Sequence, residues 1–169
     1  MNILKLLLAS AIFLISNSLF ATNLELQADK AALYVSFGDL KEAYTIDLSA
    51  NSPCRELNSI KREANKITIN HKKSCNESAH FDLKISNKLK NIKITNKAGL
   101  IEILGFAESK DSFSKIDAKV DAGNISQDGN VLKIERSKDY AGAQATFKAN
   151  GKAKLSIILN SGEISFKNE

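Results

Sequence analysis

The chain has no tryptophan, one proline and one methionine among its 169 residues, and aromatics make up only 7%. Ile, Leu, Val and Ala must therefore do most of the packing in any core. Arginine is scarce too, present only as Arg55, Arg62 and Arg136, so lysine carries most of the positive charge. No nucleotide-binding loop, nucleophile elbow or paired-cysteine zinc signature occurs. His71 and His80 are the only histidines, which leaves imidazole acid–base chemistry few candidates. No cofactor is expected, and no metal.

One apolar run stands out, from Leu6 to Ile15, behind Asn2 and Lys5 and ahead of Ser16, Asn17 and Ser18. A charged start, a short apolar core and a small residue at Ala21 are the parts of a secretory signal peptide over 1–21. The core falls short of the roughly 20 residues a membrane span needs. The remaining chain, 22–169, is expected to be a single β-rich domain, exported to the periplasm or secreted, with no transmembrane anchor after cleavage. Losing Lys5 takes the formal net charge from +5 to +4. Export argues against nucleic acid as a partner of this basic chain and leaves an envelope polyanion, such as an acidic glycan or lipid headgroup, or an envelope protein.

Period-two alternation recurs along 22–169, the mark of half-buried strands. Leu24, Leu26 and Ala28 alternate with polar residues, as do Leu33, Val35 and Phe37, then Tyr44, Ile46 and Leu48. Further on, the same pattern runs through Phe81, Leu83 and Ile85, through Ile92 and Ile94, and through Ile116, Ala118, Val120 and Ala122. It closes with Leu155, Ile157 and Leu159, then Ile164 and Phe166. Ser52–Pro53 suggests a helix start, and Leu57, Ile60 and Ala64 follow at helical spacing, so a short helix is expected over 53–64.

Ala98-Gly99-Leu100-Ile101, Ala122-Gly123-Asn124-Ile125 and Ser161-Gly162-Glu163-Ile164 share one pattern of small residue, glycine, any residue and isoleucine. Glycine permits a bent backbone there, a small neighbour lets adjacent turns stack, and isoleucine returns to the core. The expected fold is all-β, a short solenoid-like stack of strands with glycine turns. These turns, with the strands around Ile67–Ile69, Phe81–Ser86 and Asn91–Thr95, make 66–169 resemble the bacterial adhesin-like family of the DUF4097 type. The resemblance implies a short β-solenoid on an envelope or secreted protein, and no catalytic residues.

Lys72, Lys73, Lys84, Lys88, Lys90, Lys93 and Lys97 fall within one short span. Lys84, Lys88, Lys90 and Lys93 are the candidate anion-binding patch, set against the simpler role of lysines in protecting strand edges. Asp117 and Asp121 lie on one strand face with Lys119 between them. A carboxylate pair could serve glycoside chemistry, but alternating Asp and Lys more simply makes a solvated face. The expected function is therefore that of a non-enzymatic exported adhesin-like protein offering a binding or scaffolding surface. The alternative is a glycan-acting hydrolase or lyase.

Cys54 and Cys75 are the only cysteines, and an oxidising compartment favours joining them. A metal site built from Cys75, His71 and His80 has loose spacing and leaves Cys54 without a role. Closing a loop of about 20 residues contributes roughly 3 kcal/mol in the chain-entropy picture. A thiol assay on the denatured, unreduced protein should find no titratable thiol; two would overturn the bridge.

Overall fold

The computed structural model describes residues 22–53, 59–63, 65–71, 76–137 and 141–169. The expected signal peptide, Cys54 and Cys75, and Lys72 and Lys73 lie outside the described residues. Ten strands form a single open mixed sheet: β1 Asn23–Gly38, β2 Tyr44–Leu48, β3 Ser59–Glu63, β4 Lys66–Asn70, β5 Ala79–Ser86, β6 Asn91–Ile103, β7 Phe113–Gln127, β8 Lys133–Arg136, β9 Ala143–Lys148 and β10 Ala153–Phe166. A four-residue helix, α1 (Phe106–Ser109), and a 3₁₀ turn link β6 to β7.

β1, β6, β10 and β7 run parallel, in that spatial order, and each is much longer than an ordinary strand. Their inward residues change parity part-way along. In β1, Leu24, Leu26 and Ala28 are buried, then Ala31, Leu33 and Val35. The same switch separates Ile92 and Ile94 from Ile101 and Ile103 in β6, Ile116 to Val120 from Ile125 in β7, and Leu155 to Leu159 from Ile164 and Phe166 in β10. A straight pleated strand cannot do this, because its side-chain period is two.

The switch falls in one row across the sheet: Gly99 pairs with Ala31 and Gly162, and Gly162 with Gly123. All three glycines hold positive φ, +120°, +132° and +146° for Gly99, Gly162 and Gly123. The strands bend there. Ser86 of β5 sits beside Gly38 at one end of β1, and Asn91 of β6 beside Asn23 at the other. The five peptide steps from Ser86 to Asn91 reach at most about 17 Å, whereas a straight strand from Asn23 to Gly38 would span about 50 Å. Folding over also brings Phe37, from the end of β1, to within 5.0 Å (ring centroids) of Phe113 at the start of β7. The inner faces of the two half-sheets thus share one core.

A solenoid lays each turn beside the previous one. Here β10, last in the chain, lies between β6 and β7, so successive stacking of turns is not shown, although the glycine corners do stack. The glycine motifs are also not breaks between strands, since each long strand runs through its glycine. Ala122, expected to face inward with Val120, is exposed because the bend intervenes. The helix expected over 53–64 is not found where the chain is described. Ser59–Glu63 instead pairs antiparallel with β4, and that ladder, anchored by β4 on β1, overrides a helical spacing of three apolar residues. Among the described residues the α-helix lies at α1, where Phe106 plugs the core against Phe166 at 5.0 Å.

A Cβ added at Gly123 would overlap the carbonyl of Gly162, one at Gly162 that of Gly99, and one at Gly99 that of Ala31. The row ends at Ala31 because the neighbour of β1 is interrupted there: β4 covers Glu25–Ala28 and β5 covers Ala31–Gly38. The Ala31 carbonyl instead accepts a hydrogen bond from Nδ2 of the fully buried Asn96, at 2.8 Å.

Gly162→Ala should cost more than about 3 kcal/mol or abolish folding, since the new atom meets backbone that cannot yield. Gly129→Ala, with positive φ but nothing within 4 Å of its Cβ, should cost only about 1–2 kcal/mol. Asn96→Leu should cost about 1–3 kcal/mol by stranding the Ala31 carbonyl. Urea denaturation of the three variants checks this order.

Candidate functional site

The bend divides the outer surface into two faces of different charge. On the face made by the C-terminal halves of the long strands with β5 and β2, the outward charged residues are Asp47, Asp82, Lys84, Glu102 and Glu163. Asp47 and Asp82 stand directly opposite each other in the ladder. His80 lies edge-on to Tyr34, ring centroids 5.9 Å apart, a packing role rather than that of a metal ligand. His71 is half-buried just beyond β4.

The other face, made by the N-terminal halves with β3, β4, β9 and β8, carries most of the lysines. Many are neutralised within the sheet. Lys119 pairs with Asp121 at 2.7 Å, Lys115 with Asp117 at 2.7 Å, Lys133 with Glu135 at 2.6 Å and Lys97 with Asp29 at 2.6 Å. Exposed pairs of this kind add little stability and are screened by salt. The contact with Lys133 holds the Glu135 carboxyl below the ordinary range, and the contact with Lys61 does the same for Glu63.

The candidate patch of Lys84, Lys88, Lys90 and Lys93 does not form one surface. Lys84 sits on the acidic face, and Lys88 is tied to Asp39 at 2.6 Å in the turn after β5. Only Lys90 and Lys93 reach the basic face, where Lys93 approaches Glu25 at 3.6 Å. The fold-over separates them: a short link carries the chain from one half-sheet to the other.

A different basic cluster is assembled by the register. An irregularity between Ala153 and Lys154 aligns Lys154 with Lys115, and Lys115 faces Lys148 across the β7–β9 ladder. Three exposed lysines thus stand abreast on adjacent strands, about 4.8 Å apart by strand spacing. Like charges directly opposite are destabilising, and among the described residues only Lys115 of the three has an ion pair. The row continues through Asn91 and Asn23, which hydrogen-bond through their side chains at 2.7 Å. Lys90 lies at its rim, its carbonyl accepting from the Lys154 amide at 2.7 Å.

The row opens into a groove of about 650 Å³ that crosses β4, β1, β6, β10 and β7. Lys66, Lys93, Glu25, Glu63, Asp117 and Ser156 line it with Asn23, Asn91, Lys154 and Lys115, and Lys148 extends the row beyond that lining. Beneath it, Leu24, Ile92 and Leu155 are at most 3% exposed, so polar and charged side chains with their aliphatic stems form its surface. Sequence reading missed Lys115, Lys148 and Lys154. The available signal was that each is an outward residue near a strand end, but their alignment depends on β10 pairing out of chain order.

No protein-family model and no curated protein matches the chain, so the DUF4097 resemblance is not supported. One solved structure, described as a "putative cell adhesion protein" from Clostridium sporogenes ATCC 15579, is similar over 88% of this chain and 93% of that chain, at 12% identity and a TM-score of 0.38. That likeness is too distant to carry an argument about this chain's function.

A bound polyanion would relieve the repulsion among the three lysines, giving a salt-linked stabilisation. Lys154→Gln, which removes one end of the three-lysine row, should leave stability in low salt unchanged or slightly raised, as read by thermal melting. A clear loss would mean that Lys154 serves the fold rather than a site.

Proposed function

We propose that this is a non-enzymatic exported protein, adhesin-like in its setting, whose basic outer face binds an anionic component of the envelope. The carrying observation is the Lys154–Lys115–Lys148 row, a repulsive arrangement opening into a groove of about 650 Å³. Rigid backbone supports it: the three lysines sit on hydrogen-bonded strands over a close-packed core, so little order is lost on binding. The stacked glycine corners give the scaffold a solenoid-like cross-section, with one strand inserted out of order. The apolar start of the chain supports export to the periplasm or beyond.

The alternative, a glycan-acting hydrolase or lyase, draws less support. Asp117 and Asp121 are four residues apart on one strand, which places them about 13 Å apart, beyond the roughly 5–9.5 Å separation that hydrolytic pairs use. Each is also engaged in an ion pair with the lysine two positions before it.

Retention of the purified protein on a dextran sulfate matrix tests the reading. Lys115→Glu/Lys154→Glu should elute at clearly lower salt than the parent, while Lys84→Glu/Lys88→Glu, with the same change in net charge, should elute near it. Equal losses would reduce the effect to net charge, and a parent that fails to bind at low salt would overturn the proposal.

A further inference from the structure

We infer that the groove takes a linear glycan bearing one carboxylate per sugar, lying across the strands along Asn23, Asn91, Lys154 and Lys115 and running out of the groove to Lys148; this rests on the polyanion-binding reading above. The spacing comes first. Adjacent strands are about 4.8 Å apart, close to the advance of one pyranose residue in an extended chain, so successive sugars meet successive strands. A polymer with one acidic group per residue then keeps carboxylates within reach of the long, flexible lysine side chains along the row. Ammonium–carboxylate hydrogen bonds are the strong kind, and a preset row of donors favours a ligand of matching repeat.

The mixed lining supplies the second argument. Asn91 and Asn23 continue the row without charge, and Ser156, Glu25 and Asp117 lie alongside the lysines in the groove. Amides donate and accept hydrogen bonds, and carboxylates accept them, as sugar hydroxyls require. A bare polyphosphate has no hydroxyls to meet these groups and would face Glu25 and Asp117 with charge alone. A lipid surface fits less well too, because interfacial binding buries apolar side chains, and the groove offers none: Leu24, Ile92 and Leu155 are at most 3% exposed. The acidic opposite face, with Asp47, Asp82, Glu102 and Glu163, leaves this ligand one side on which to bind.

Titration calorimetry at low salt with oligogalacturonates of two to six residues tests the inference, with their methyl esters and phosphatidylglycerol vesicles as comparison probes. Affinity should rise with each added residue and level off near five, and the methyl esters should bind far more weakly. Lys154→Gln should weaken the longest oligomer by about tenfold, the loss expected of one charged hydrogen bond. Asn91→Ala should weaken it less, with the salt dependence unchanged because no charge is removed. Affinity independent of length, or equal binding of the esters, would overturn the inference. Binding of vesicles but not of oligomers would also overturn it and leave the polyanion reading standing. No binding of any probe would overturn both. Circular dichroism of each variant separates lost binding from lost structure.

Discussion

The structure depends on the close approach between each corner glycine and the carbonyl of the neighbouring strand. A strand with alternating aliphatic residues buries one face only, and among the described residues no helical layer covers that face; α1 is a single turn. The remaining solution is for the sheet to bend and cover itself. Bending four parallel strands in one row brings backbone against backbone, and only a residue without Cβ fits at Gly99, Gly162 and Gly123. From that row follow the parity change, the shared core and the division of the outer surface into an acidic and a basic face. Asn96 completes the arrangement where the row stops, satisfying the carbonyl at Ala31.

The two sheet edges that approach each other at β2 and β3 are joined by side chains rather than by a ladder. Arg62 donates to the Ile46 carbonyl at 2.9 Å, and the Tyr44 hydroxyl to the Glu63 carbonyl at 3.1 Å. Burial raises the Tyr44 pKa above its ordinary value, which keeps the phenol a donor. Edge carbonyls met by an arginine and a tyrosine are poor templates for another strand. The scarce arginine thus appears where a planar, multiply donating group is useful.

Much of the β structure was legible from alternation alone: β5, the start of β6, and both halves of β10 follow their Leu, Ile and Phe positions. The three glycine motifs were legible as corners that stack, but not as bends inside continuous strands, because local sequence does not tell a turn from a fold in a ladder. Ala122 shows the limit, since its alternation continues that of Val120 although the backbone has already begun to bend. The 53–64 helix failed at Ile60 and Arg62, whose partners in β4 lie across a hairpin rather than along a helix. The site was least legible. Lysines clustered in sequence between Lys84 and Lys97 are divided between faces, whereas Lys115, Lys148 and Lys154 are brought together by pairings that span the C-terminal third of the chain.

The position of β10 sets the order in which the molecule can be completed. Within the sheet, β6 and β7 have no hydrogen bonds to each other; the last fourteen-residue strand is the only bridge between β2-β5-β1-β6 and β7-β9-β8. Until it arrives, two long parallel edges stand open and the corner row lacks its middle member, Gly162. Such non-local pairing forms slowly and late. An emerging chain therefore cannot lock into its final shape until β10 has been made and has slotted between β6 and β7.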